Sequence, residues 1–319
     1  MTLTRATPIV LLTAALSASC STLGADRPPQ PPPPSSGAGP FRPLRASELG
    51  NESGLVLEAQ ESSVESGMMA GNHLYYAAGD PPRIHRAGPG ELPPFEPGPM
   101  ILQPMEAWEG AAVFDPWAVV LEDGTTRLYY AGDDGVGMAE ATEPGGDFTR
   151  VGPVLQADPA VEGGATPRRP SVVARDGGGW LMYYQVGDVI AVAQSDDGRA
   201  FEHELVLELG LPEEANGPPE VAVATPAAVV ATTPVGRRVT RLYFTSIRDD
   251  DTTVLGFAAS LDGFVFERSA VPPVQADNPA FPAPVLLEEP ATLLLHTADA
   301  AEDRQLVGAI APADAELER

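Results

Sequence analysis

The sequence has one cysteine, Cys20, and four histidines in 319 residues. A lone cysteine cannot form an internal disulfide, so no disulfide framework holds this chain together. His73, His85, His203 and His296 show no H-x-x-x-H spacing and have no cysteine partners, which leaves a zinc site without ligands. Positive charge is also scarce. Nineteen basic residues stand against 45 acidic ones, for a formal net charge of −26. Such a surface repels phosphate backbones, and nucleic acid is not an expected partner. No G-x-S-x-G elbow, G-x-x-x-x-G-K-[ST] loop or dinucleotide fingerprint occurs, so neither a cofactor nor a metal is expected. The acidic run at 249–251 reads as a solvated hairpin tip in preference to a calcium site. Helical periodicity is nearly missing; its strongest stretch is the tail 309–319, interrupted by Pro312. Beyond the N-terminus no stretch approaches 18 uncharged apolar residues.

The exception is the N-terminus itself, MTLTRATPIVLLTAALSASC. Arg5 precedes a short apolar run, and small residues at 17–19 precede Cys20. The pattern reads as a secretory signal, too short to span a bilayer. It resembles a bacterial lipoprotein signal over residues 1–19, in which the cysteine is acylated and becomes the new N-terminus. The same residues also fit plain secretion with an incidental cysteine. Residues 20–45, CSTLGADRPPQPPPPSSGAGPFRPLR, form a Pro/Gly/Ser-rich spacer with no core-forming pattern. An acylated Cys20 would anchor the chain to a membrane, at about 0.8 kcal/mol per buried methylene. The expected location is therefore the cell envelope, facing the periplasm or the exterior.

From residue 46 onward the chain is short β-branched and aromatic runs separated by Gly, Pro and Asp. Five of them share one pattern: HLYYA (73–77), RLYYA (127–131), LMYYQ (181–185), RLYFT (241–245) and LLLHT (293–297). Their fourth residues, Tyr76, Tyr130, Tyr184, Phe244 and His296, are 54, 54, 60 and 52 residues apart. A strand precedes each, with a proline near its start in four units: FDPWAVV (114–120), RRPSVVA (168–174), ATPAAVV (224–230) and APVLLEE (283–289). The first unit has VESGMMA (64–70) there. A third apolar strand follows in each of the later units, and MILQ (100–103), PVLQ (153–156) and PVQ (273–275) read as fourth strands. Four strands repeated five times is the arithmetic of a five-bladed β-propeller, all-β, with four-stranded antiparallel blades spanning 46–319. A four-stranded sheet with two apolar faces cannot bury them alone; wedging blades around an axis buries both. The chain is expected to be a monomer.

The ordered pattern "DP…V", "LYY", "A…S.DG..F" resembles the five-bladed glycosidases over roughly residues 55–312. These comprise the arabinanase/β-xylosidase type, the invertase type and relatives of the mannoside phosphorylases. SDDGRAF (195–201) and SLDGFVF (260–266) also resemble the sialidase Asp-box, a structural turn. The resemblance implies carboxyl groups at the start of each innermost strand, one protonating the leaving oxygen and one activating water. The equivalent positions are read as Glu65, Asp115, Arg168/Arg169, Thr225 and Ala283. Asp115 before Pro116 matches the aspartate that orients the acid, and Glu65 lies near the place of the catalytic base. The family's general acid is a glutamate in the third blade, where this sequence has Arg168-Arg169-Pro170. A guanidinium with a pKa above about 12 donates no useful proton at neutral pH. Two arginines there would grip a carboxylate or phosphate, or pair with Asp115 and Glu65.

A second echo aligns residues 102–116 with 155–170 and places Glu109 and Glu162 before glycines on loops returning to the axis. With Trp108 beside the first, these glutamates are candidates for contact with a sugar, a flat ring being suited to stack on a pyranose face; a repeated turn is the plainer reading. The catalytic candidates are thus Glu65, Asp115 and Glu162, and the ligand-binding candidates Arg168, Arg169, Trp108 and Glu109. Two functions follow. One is a lipid-anchored propeller that binds glycan or protein at its axial mouth without turnover. The other is a glycoside hydrolase or phosphorylase acting on an anionic glycan.

Overall fold

The computed structural model describes residues 37–50, 54–57, 63–157, 165–175, 177–210, 218–233, 236–287, 291–300 and 303–312. The expected signal peptide, Cys20, most of the spacer and Glu162 lie outside the described residues. The chain begins with β1 (Arg42–Pro43) and one helical turn, Ala46–Leu49. Four strands follow in succession: β2 (Val64–Ala70), β3 (His73–Ala78), β4 (Arg83–Ala87) and β5 (Met100–Leu102). A 3-10 turn at Ala107–Glu109 leads into β6 (Phe114–Val120), β7 (Thr126–Gly132), β8 (Gly135–Ala141) and β9 (Thr149–Gln156). The third set is β10 (Arg168–Ala174), β11 (Trp180–Val186), β12 (Val189–Ser195) and β13 (Glu202–Val206). The fourth is β14 (Glu220–Thr232), β15 (Arg238–Arg248), β16 (Thr253–Ser260) and β17 (Glu267–Arg268). The last three strands are β18 (Ala280–Leu286), β19 (Ala291–Ala300) and β20 (Asp303–Pro312).

Each set is one antiparallel four-stranded sheet in sequence order, and β1 completes the fifth sheet as β18-β19-β20-β1. The innermost strands β2, β6, β10, β14 and β18 touch in that order, and β18 touches β2. The ring is closed, as a five-bladed propeller requires. The LYY runs are continuously apolar because both faces of each sheet are covered by neighbouring blades. All seven residues of β7 are buried, and Tyr75, Tyr129, Tyr130, Tyr183, Tyr184 and Tyr243 are fully enclosed.

Two features of the closure differ from the sequence reading. The spacer was expected to run to residue 45, but Arg42 pairs with Ile310 and Pro43 with Ala309, so the blades begin earlier. No fourth strand was read for the third and fifth blades, where β13 and β1 supply it, and that of the fourth blade was read too late. That of the fourth is Glu267–Arg268, while Val274, from the expected strand at 273–275, makes a parallel bridge to Phe41. β1 gives the fifth blade its outer strand from the other end of the chain and covers the free edge of β20. The third strand expected at 306–312 in the last unit is β20, in which Ala309 and Ala311 pair with β19.

Neighbouring blades are joined by buried polar links. Tyr129 donates its hydroxyl to the Gly198 carbonyl of the next blade (2.9 Å), and Tyr183 donates to Gly263 (2.8 Å). Both acceptors sit in the Asp-box-like turns. In each turn the serine hydroxyl accepts from the glycine N–H at 2.9 Å. Gly263 has φ +83°, and a Cβ there would lie 2.6 Å from Leu181. Only glycine meets both demands, so these turns are built for docking between blades. Tyr243 repeats the link with Gly37 at 2.7 Å, where the N-terminal segment stands in for the missing turn.

Candidate functional site at the axial mouth

The site arises from one irregularity repeated around the axis. In β6, Phe114 pairs with Ala131 and Trp117 with Tyr129, which leaves Asp115 and Pro116 opposite Tyr130 alone. The same break falls between Arg168 and Ser171, between Ala224 and Ala227, and between Ala280 and Ala283. The first blade has its own break between Val64 and Ser66. Each is a β-bulge, and a bulge turns its side chain out of the ladder. A proline fits there because the bulge leaves its missing N–H without a ladder partner.

The residue before each of these prolines has positive φ: Asp115 53°, Arg169 57°, Thr225 49° and Phe281 53°. A side chain beyond Cβ makes this region costly, at about 1–3 kcal/mol per residue. Four such residues at equivalent places are held by the packing of the ring, and they all aim at the axis. Together with Glu65 they surround an opening. Asp115, Arg169, Thr225 and Phe281 line a narrow throat of about 40 Å³ with Ser66, Met68 and Trp117. Above it, Glu65, Phe114, Asp115, Arg168, Arg169 and Phe281 border a mouth of about 430 Å³.

The wall is tied across blades below the mouth. Trp117 Nε1 donates to the Val172 carbonyl at 2.9 Å, and Ala228 N donates to Ser171 Oγ at 2.7 Å. Phe281 N donates to Thr245 Oγ1 at 3.3 Å. The charged groups are stacked on rings. The Arg168 guanidinium lies 4.9 Å from the Phe114 ring centroid, and that of Arg169 lies 4.3 Å from Phe281. Arg169 Nε stands 3.8 Å from Asp115 Oδ2, an ion pair longer than a hydrogen bond.

Asp115 is 7% exposed, and burial pushes its carboxyl above the usual range. The positive charges of Arg169 and Arg168 and an N–H of Arg169 offset only part of that. Glu65 is also pushed up, first by desolvation and then by the Asp115 charge, with Arg169 opposing. Among the described residues, the carboxyls on the wall belong to the first two blades. Ser66 Oγ, buried on the throat wall, has no hydrogen-bond partner among the described residues.

Of the sequence candidates, Glu65, Asp115, Arg168 and Arg169 meet at this mouth. Glu109 does not. Its carboxylate is 0% exposed, accepting from Tyr130 Oη (2.7 Å), Arg150 Nε (2.8 Å) and the N–H groups of Met105 (2.6 Å) and Glu106 (2.9 Å). Every oxygen is committed, so Glu109 folds the loop. Trp108 leans on Tyr130 with ring centroids 5.5 Å apart and fills the space over Gly132 and Gly137. It is packing, away from the mouth. Glu162 lies outside the described residues.

The fifth position was read as Ala283, two residues too late. Pro282, not Pro284, occupies the bulge, and Phe281 reaches the axis. A shift of two preserves the in–out alternation of a strand, so burial pattern alone did not separate the two prolines. Ser66 and Phe114 were missed; the repeated X-Pro spacing identifies the bulge but not its flanking residues. Among the described residues, no group of three or more His, Cys, Asp or Glu is placed to hold a metal ion.

Solved structures share the architecture. An endo-arabinase from Bacteroides thetaiotaomicron superposes with TM-score 0.60 at 15% identity, covering 81% of this chain and 95% of its own. An arabinanase from Bacillus subtilis gives TM-score 0.52 at 13% identity, over 77% and 92% of the two chains. A member of glycoside hydrolase family 130 gives TM-score 0.58 at 14% identity, over 79% and 84%. That family is described as one of mannoside phosphorylases containing hydrolases that target β-1,2 mannosidic linkages in Candida mannan. No family model matches the sequence, and no curated protein does. At these identities the likeness is one of fold, and chemistry has to be argued from the mouth itself.

Proposed function

We propose that this propeller, built on the architecture of sugar-acting enzymes, binds a glycan at its axial mouth without cleaving it. One observation carries the reading: the third of the five equivalent bulge positions is Arg169, stacked on Phe281 and facing Asp115. Hydrolysis needs a proton donor and a base on opposite sides of the scissile bond. Among the described residues both carboxyls on the wall come from adjacent blades, and the third blade contributes guanidinium groups that give up no proton at neutral pH. Binding asks less. Glu65 and Asp115 accept from sugar hydroxyls, Ser66 offers a buried hydroxyl, and Phe281 and Trp117 supply apolar surface.

The test is isothermal titration of an oligosaccharide panel together with aryl-glycosides of the same sugars. We expect saturable binding, no release of the aryl group, and at least a tenfold loss of affinity in Asp115→Ala, the scale expected for a hydrogen bond to a charged group. Turnover that disappears in Asp115→Asn would overturn the reading. It would establish the enzymatic alternative, which draws on the raised pKa of Glu65 and Asp115, a property suited to a general acid. In the same reading the protein works in the cell envelope through acylated Cys20. Fatty-acid labelling that persists in Cys20→Ser would remove that part.

A further inference from the structure

We infer that the ligand at the mouth carries a carboxylate, as a uronic-acid-containing glycan does, and that Arg168 and Arg169 hold it. The inference rests on the glycan-binding reading and adds the ligand's charge. The two guanidinium groups belong to successive residues at the start of β10 and border the same cavity of about 430 Å³. Each has one face against a ring, Arg168 on Phe114 and Arg169 on Phe281. Stacking fixes the plane of a guanidinium and leaves its N–H edge available, the arrangement that receives a planar two-oxygen anion.

Those edges are poorly used within the chain. The Arg168 guanidinium has no hydrogen bond or ion pair with any described residue, and the ion pair of Arg169 with Asp115 is stretched to 3.8 Å. The one acid paired with either arginine among the described residues is Asp115, and it stands beyond hydrogen-bond distance of Arg169. A chain of net charge −26 repels an anion at a distance. At physiological ionic strength that repulsion is screened beyond about 8 Å, so the two arginines govern a ligand already in the mouth. A carboxylate would take the arginine edges while the sugar hydroxyls face Asp115 and Glu65, which gives the ring a defined orientation.

The experiment titrates the full chain with oligomers of galacturonate, glucuronate and mannuronate, with their methyl esters, and with the neutral parent oligosaccharides. We expect one acidic series to bind at least tenfold more tightly than its ester. Arg168→Gln and Arg169→Gln should each reduce that binding about tenfold and reduce the ester's affinity by much less. Arg168 is exposed, so its substitution leaves the fold intact and keeps the test valid if Arg169→Gln misfolds; circular dichroism checks both. Equal affinity for acid and ester overturns the inference and leaves glycan binding standing. Binding confined to inorganic phosphate, added as a competitor, also overturns it. No binding across the whole panel by folded protein removes this inference and the glycan reading together.

Discussion

Replacing the first tyrosine of each LYY run by phenylalanine provides a comparison internal to the protein. Tyr129, Tyr183 and Tyr243 each donate a buried hydroxyl to a backbone carbonyl across a blade boundary, at 2.9, 2.8 and 2.7 Å. Tyr75 occupies the same place in the first blade and is equally enclosed, yet its hydroxyl has no partner among the described residues. The turn it should meet, around residues 144–148, lacks the Asp-box pattern and offers Phe148, whose ring meets Tyr75 edge-on with centroids 6.0 Å apart. Removing a hydroxyl that serves a buried carbonyl costs about 1–2 kcal/mol, because the carbonyl loses its partner and water does not reach it. Removing a buried hydroxyl with no partner relieves a desolvation cost of about 1 kcal/mol. Tyr183→Phe should therefore lower Tm by about 2–6 °C, and Tyr75→Phe should leave it level or raise it slightly. Thermal melts by far-ultraviolet circular dichroism, with urea midpoints alongside, separate the two. If Tyr75→Phe destabilises as much as Tyr183→Phe, the cross-blade hydroxyl is not what distinguishes these blades, and the reasoning fails.

Further perturbations test other links in the argument. Glu109→Gln should destabilise by about 3 kcal/mol, since it leaves the half-buried Arg150 without its charge partner. The same variant should bind ligand as the wild type does, because Glu109 does not reach the mouth. Gly98→Ala should prevent normal folding, at a cost of about 3 kcal/mol or more, because its Cβ would lie 1.8 Å from the Arg86 carbonyl oxygen. The carboxyls of Asp115 and Glu65 have raised folded pKa values, so the native state holds their protons more tightly than the unfolded chain does. Stability should fall as pH rises from about 4 through those raised values, and Asp115→Asn should flatten that part of a urea-midpoint profile. His296 is pushed down by burial. Its neutral form should stabilise the fold above about 6.5, with loss as pH falls, and His296→Phe should reduce that acid-side slope.

The charge of the mouth and the strain of its backbone are connected. Four residues with positive φ precede prolines, where a regular strand would have placed their side chains between blades. The bulge moves them onto the axis instead, and the neighbouring blades hold the unfavourable backbone in place. An Asp115 or Arg169 in regular strand geometry would have been buried between sheets without a partner. At the bulge each borders the same opening, where one offsets part of the other's charge and a ligand can reach both.

The number of blades and the assignment of LYY runs to doubly covered strands were legible from local pattern alone. Such patterns report which faces are buried, and a sheet covered on both sides writes a continuous apolar run wherever it occurs. The bulge prolines of the second, third and fourth blades were legible for the same reason, as interruptions 14 to 18 residues before the fourth residue of each run. The identity of the fifth axial residue was not: Phe281 and Ala283 share a strand face, and only the pairing of β18 with β19 decides which one lies in the bulge. The closure by Arg42–Pro43 joins segments more than 260 residues apart and has no local signature. Glu109 looked like a ligand contact because sequence shows a loop carboxylate beside a tryptophan; its partners Tyr130 and Arg150 arrive from β7 and β9. Periodicity belongs to neighbours in the chain and determined the scaffold. Which side chains share one opening depends on bulge register and ring closure, both set by contacts between distant strands, and that only the tertiary structure decided.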